Sequence, residues 1–164
     1  MKATAVDGMF LGTHVNGLDA KGRISIPADF RSVVRGEGLD GVYCWPSPDG
    51  AMLVGCGAAL MGRYKAMAEA LDLFDPLRDA LAHSVFADAR LLGFDANGRI
   101  TLPDAFAGHA ALEGQAAFVG LADHFEIWRP DAYAAHQEAQ RAILRENRQA
   151  RGRTLVAAEG AGAP

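Results

Sequence analysis

The chain has 164 residues, with 16 Lys and Arg against 20 Asp and Glu for a formal charge of −4; half of the residues are hydrophobic and 22% are charged. That balance belongs to a soluble globular chain of one ordinary domain or two very small ones, and excludes a disordered or collagen-like one. A core without metal or disulfide support is feasible at this length.

No apolar run approaches the roughly 18–20 residues of a membrane span. The segment Met1–Asp7 has no apolar stretch fit for a signal peptide. Two cysteines, Cys44 and Cys56, make no disulfide framework. A cytoplasmic location is therefore expected. Net acidity counts against a nucleic-acid partner only as an average, because binding depends on where the charge sits.

Residues 1–8 read as a tail. His14–Leu18 alternates loosely and Arg23–Ile26 cleanly, which is the period of a strand. Between them, Asp19-Ala20-Lys21-Gly22 reads as a hairpin turn: Asp accepts backbone hydrogen bonds across a turn and Gly takes the positive φ that closes one. Alternation then points Ile24 and Ile26 inward and Arg23 and Ser25 outward. Pro27 ends the strand and opens a short helix over Ala28–Val34. Gly36–Gly41 matches G-x-G-x-x-G, but a helix precedes it and a strand follows, so it reads as a turn and not a nucleotide loop. Strands are expected at Gly41–Trp45 and Ala51–Val54, with Pro46–Gly50 turning between them.

Leu60, Tyr64, Met67, Leu71 and Phe74 then recur at helical spacing. Asp75-Pro76 restarts the helix, and Leu77, Leu81 and Val85 continue its apolar face.

The first unit then returns. Asp19–Phe30 reappears as Asp95–Phe106, 76 residues on, with seven of twelve positions identical. Asn97-Gly98 is a strong hairpin signal. Ile100 and Leu102 point inward, and Arg99 and Thr101 point outward. A helix over Asp104–His109, strands at Ala116–Leu121 and Phe125–Trp128, and a turn at Ala122–His124 complete the copy. Two copies are too few for a solenoid; pseudo-twofold pairing fits better. Pro130 opens a helix to about Arg148, and Ala157–Pro164 is expected to be disordered. The organisation is thus a tail (1–8), repeat one (9–56), a helical linker (57–85), repeat two (86–129), a helix (130–150) and a tail (151–164).

Met9-Phe10-Leu11-Gly12 followed by Leu18–Pro27, with Asp-x-x-Gly-Arg repeated in register with Pro, resembles the bacterial MraZ proteins, DNA-binding transcriptional regulators related to the SpoVT-AbrB swapped-hairpin barrels. The resemblance spans about Met9 to Arg148. It implies an α+β fold in which two tandem swapped-hairpin half-barrels form one pseudo-twofold barrel, with helices after each repeat. It also implies a ring of several chains, associated with the nucleoid. The ring would grip short G-rich direct repeats in the promoter ahead of the division and cell-wall gene cluster, its own promoter included. Two features depart from the family: Met1–Gly8 precedes Met9, where many members start, and Asn97 stands where repeat one has Lys21, which makes the second loop less basic.

With that resemblance, Arg23 and Arg99 are the expected base readers, since a guanidinium fork pairs with guanine O6 and N7. Lys21 is the expected phosphate contact, and Ser25 and Thr101 face the same way. Asp19, Gly22, Asp95 and Gly98 hold the turns and orient the arginines. Spacing alone allows the plainer reading of a hairpin turn whose solvated Arg is tied to its Asp.

Neither the five histidines nor the two cysteines show metal-ligand spacing, and Cys44 and Cys56 read as core thiols. No Ser/His/Asp or Cys/His arrangement points to catalysis, so no enzyme activity, cofactor or small-molecule substrate is expected. The stretch Arg129–Arg153 holds six Arg against three acids, a solvated helix face on the plain reading and a phosphate contact or subunit seam on the sharper one. Two rivals remain: an antitoxin-type module of the same superfamily and a purely structural ring. A self-processing decarboxylase on a related barrel is disfavoured because the chain has no Gly-Ser pair.

Overall fold

The computed structural model describes residues 8–161, and the side chains of all of these except 154–159 and 161. Residues 1–7 of the expected N-terminal tail and 162–164 of the expected C-terminal tail lie outside the described residues. The first unit runs through Pro130 and a helical second unit follows.

The first repeat comprises β1 (Thr13–Gly17), β2 (Arg23–Ser25), α1 (Ala28–Gly36), β3 (Gly41–Pro46) and β4 (Leu53–Cys56). Next come α2 (Ala58–Ala70) and α3 (Pro76–Leu81), the latter prolonged by one π-helical turn over Ala82–Phe86. The second repeat supplies β5 (Arg90–Gly93), β6 (Arg99–Thr101), α4 (Asp104–His109), β7 (Gln115–Gly120) and β8 (Phe125–Trp128). The fold is α+β, as expected.

The pairing is not the one simple hairpins make. Between β1 and β2 the chain forms a single bridge, Leu18 to Ile24, and the strands then part. β1 pairs with β7 of the other repeat, and its counterpart β5 pairs reciprocally with β3. A six-stranded antiparallel sheet results, in the order β1-β7-β8-β4-β3-β5, while β2 and β6 make a separate two-stranded ribbon. In that ribbon Ile24 faces Ile100, its own repeat counterpart, flanked by Arg23–Thr101 and Ser25–Arg99. In β4–β8, Val54 faces Glu126, again its counterpart when the two repeats are overlaid strand on strand. These two self-facing pairs mark the pseudo-twofold relationship between the repeats.

Alternation explains the core. Val42 and Cys44 of β3 enter one cluster, with Phe10, Ile24, Ile26, Phe30, Ile100, Leu102, Phe118 and Phe125. Trp45 and Cys56 enter a second, with Leu60 and Val85. Phe10, Phe30 and Phe125 pack with ring centroids 5.2–5.3 Å apart, Phe10 edge-on to Phe30. Gly55 leaves room for the Phe125 ring.

The G-x-G-x-x-G segment is a helix stop. Gly38, at φ +84°, donates to Arg35 O, and Leu39 donates to Val34 O. These two bonds make a Schellman motif. α4 ends the same way, with Ala111 in the left-handed position at φ +51°.

The helix expected to reach Phe74 ends at Ala70, because Asp72 Oδ1 accepts the Phe74 N–H at 2.8 Å and offers the backbone a turn instead. Its apolar stripe is not all core: Leu60 is buried, but Phe74 is 91% exposed and Met67 and Leu77 are exposed. The strand expected at Ala51–Val54 is β4, Leu53–Cys56.

The described residues of the second unit, from Asp131 on, all belong to the helix α5 (Pro130–Ala161). It runs past the expected end near Arg148 and through the segment expected to be disordered as far as Ala161. Alanine, frequent in that segment, is the strongest helix former.

Candidate nucleic-acid interface

The two Asp-x-x-Gly-Arg loops close by the same bonds. In the first, Asp19 Oδ1 accepts the N–H groups of Lys21 and Arg23, each at 2.9 Å, and Oδ2 accepts Arg23 Nε at 2.7 Å. In the second, Asp95 Oδ1 accepts from Asn97 at 2.8 Å and Arg99 at 3.0 Å, and Oδ2 accepts Arg99 Nε at 2.9 Å. One carboxylate therefore fixes both the turn and the arginine beside it. The backbone N–H of each arginine, ahead of the other donors, holds its carboxyl below the ordinary 3.8.

Glycine is needed at both turns. Gly22 sits at φ +78° and Gly98 at φ +73°. Each also ties the repeats together, since Gly22 O accepts from Leu102 N at 2.8 Å and Gly98 O from Ile26 N at 3.2 Å.

The ribbon sets the side-chain directions. Ile24, Ile26, Ile100 and Leu102 are buried, as alternation predicts. Arg23, Ser25, Arg99 and Thr101 share the opposite face, with the arginines diagonal across the two strands. Arg23 is 36% exposed and Arg99 29%. Their Nε atoms are committed to Asp, while the terminal Nη atoms make no hydrogen bond among the described residues. Lys21 is exposed at the tip of the first loop. The structure thus brings together all nine residues singled out from the sequence, five on the ribbon face or at the loop tip and four in the turns.

Sequence reasoning missed Arg31. It lies on α1, donates from Nη1 to Ile26 O at 2.6 Å, and packs its guanidinium against Gly98 of the other repeat. Nothing in the local sequence of α1 signals that contact.

Elsewhere, Cys44 and Cys56 are buried free thiols, as read, and they enter different core clusters. Among the described residues no group of three or more His, Cys, Asp or Glu could hold a metal ion. No helix of these residues is long and apolar enough to cross a membrane.

A family model described as "MraZ protein, putative antitoxin-like" matches residues 9–61 and 85–155, taking in both loops. The chain belongs to the MraZ family. It is 44% identical over 138 residues to the Transcriptional regulator MraZ of Phenylobacterium zucineum, covering 84% of this chain and 86% of the relative. It is 39% identical over 140 residues to that of Rickettsia akari, covering 85% and 94%. To that of Caulobacter vibrioides it is 41% identical over 138 residues, covering 84% and 88%. Each matched segment contains one of the two loops; the first runs into the start of α2, the second runs on into α5, and the gap between them, 62–84, covers the rest of α2 and all of α3.

Proposed function

We propose that this MraZ-family chain is a DNA-binding transcriptional regulator whose β2–β6 ribbon reads base edges with Arg23 and Arg99. The observation that carries this reading is the shared ribbon face: two guanidinium groups, each held at Nε by an aspartate, with their Nη ends uncommitted among the described residues. A two-stranded ribbon fits the major groove, and an end-on guanidinium matches guanine O6 and N7, each such pair discriminating by about 1–3 kcal/mol. Lys21, Ser25 and Thr101 serve as phosphate contacts that set register. The names of the relatives, transcriptional regulators, support the same reading.

In the finer form of the proposal, the reciprocal exchange of β1 and β5 makes the repeats two swapped-hairpin half-barrels of one pseudo-twofold barrel. Several chains form a ring, so that modest contacts multiply by avidity. The target is a set of short G-rich direct repeats, about one helical turn apart, in the promoter of the division and cell-wall gene cluster, with the chain regulating its own expression. It acts in the cytoplasm, at the nucleoid, without cofactor or enzymatic activity.

Footprinting on the DNA immediately upstream of its own gene tests this. A periodic footprint on G-rich repeats, lost in Arg23→Ala, is expected. The family's antitoxin-like description favours a second reading, a module that binds a partner protein; a chain that leaves all upstream DNA unprotected would favour it.

A further inference from the structure

The two loops are copies in sequence and backbone, but not in charge. The first carries Asp19, Lys21 and Arg23, a net charge of +1; the second carries Asp95, Asn97 and Arg99, a net charge of zero. A neutral loop is a poor partner for a polyanion.

Arg31 removes the imbalance. A Cβ placed on Gly98 would lie 2.6 Å from Arg31 Nη1, 2.7 Å from Cζ and 2.8 Å from Nε. The three atoms are nearly equidistant, so the guanidinium lies face-on against the turn. Gly98 is buried, while Gly22, which carries no such cover, is only half-buried. Arg31 is anchored by its bond to Ile26 O, and no carboxylate lies within ion-pair distance of it among the described residues. The ribbon arginines Arg23 and Arg99, by contrast, each have one. Its counterpart 76 residues on is Ala107, so the first loop receives no guanidinium in exchange.

We propose that Arg31 is the phosphate-binding cation of the second loop, supplied from the first repeat, and does for Arg99 what Lys21 does for Arg23. The inference rests on the DNA-reading proposal above. It assigns α1 a place in the interface and makes the two loops matched in charge though unmatched in sequence.

The test is a charge-transfer cycle. Binding to a labelled duplex from upstream of the gene, and to a scrambled duplex of the same composition, is measured against salt for the unmodified chain, Arg31→Ala, Asn97→Lys and the double variant, with Arg31→Gln as a second variant should Arg31→Ala fold poorly. Arg31→Ala is expected to weaken both duplexes alike, about tenfold, and to flatten the salt slope by about one unit for each chain in contact. Asn97→Lys is expected to restore slope and affinity in the Arg31→Ala background, and to add much less to the unmodified chain. A purely structural arginine would not be rescued by a lysine elsewhere on the loop.

The proposal is overturned if Arg31→Ala and Arg31→Gln leave the salt slope unchanged, or if Asn97→Lys adds equally in both backgrounds. If the unmodified chain does not prefer the upstream duplex, or Arg23→Ala keeps that preference, the parent reading fails instead.

Discussion

Ile24 faces Ile100 directly across the β2–β6 ribbon, each the other's counterpart in the internal repeat. Both are 1% exposed. The pair sits at the centre of the ribbon, directly beneath the face that carries Arg23 and Arg99, so the core and the candidate interface share three-residue strands. Truncating either isoleucine leaves a cavity under that face. Ile100→Ala is expected to cost about 2–5 kcal/mol, read as a lower urea midpoint with unchanged slope. A loss well under 1 kcal/mol would contradict the packing described.

The turn glycines differ in what surrounds them. Alanine at either position is strained by positive φ, at about 1 kcal/mol. At Gly22 the new methyl would also sit 2.9 Å from the Leu102 carbonyl oxygen, a backbone atom that cannot move aside cheaply. At Gly98 it meets the end of a flexible arginine. Gly22→Ala should therefore lose more stability than Gly98→Ala, while Gly98→Ala should displace Arg31 and reproduce the flattened salt slope of Arg31→Ala. Thermal melts of the two variants, with salt titrations, check this; the reverse order of stability would contradict it.

The helix stop at Ala111 offers a gain. At φ +51° it occupies the position that Gly38 fills at the end of α1. Ala111→Gly relieves the left-handed strain and should stabilise the fold by about 0.5–1 kcal/mol after the entropy that glycine adds to the unfolded chain is subtracted. Calorimetry showing a lower Tm would overturn the assignment.

The aspartates that close the loops give a pH signature. Both carboxyls titrate below the ordinary 3.8, chiefly because backbone N–H groups bind their charged form. A lowered folded pKa means stability that is fully present above 3.8 and is lost as pH falls through the folded value. Asp95→Asn should therefore unfold more easily than the unmodified chain at pH 6, and the difference should vanish at acid pH below the folded value. Paired denaturation curves decide it, and a pH-independent difference would count against this role for Asp95.

The cysteines titrate the other way. Burial, ahead of all other causes, pushes Cys56 up to about 12 and Cys44 higher still, from an ordinary 9.0. Neither thiol should react with a thiol reagent in the folded chain at pH 8. Because the unfolded chain releases its thiol protons first, stability should fall as pH rises above about 9. A thiol that reacts rapidly in native conditions would contradict its burial.

Much of this was legible in the sequence. The repeated Asp-x-x-Gly-Arg string carried the turns, the alternation of Arg23–Ile26 separated ribbon face from core, and Gly38 announced a turn. What could not be read was long-range. Alternation says that His14–Leu18 is a strand but not that it joins β7 instead of β2, because both partners satisfy the same local pattern. Arg31 was invisible for the same reason: its contact is made across the repeats. Phe74 misled because helical spacing reports a face without reporting what covers it, and Asp72 ends the helix first.

In the proposed function, Arg23 and Arg99 read bases while the fold holds them in place. Its most direct test is the preference for upstream over scrambled duplex in Arg23→Ala and Arg99→Ala, with size in solution and melting temperature measured alongside. Each substitution is expected to remove most of the preference while particle size stays unchanged and Tm falls only slightly, through loss of one partly exposed ion pair. Full sequence preference in both variants would contradict it.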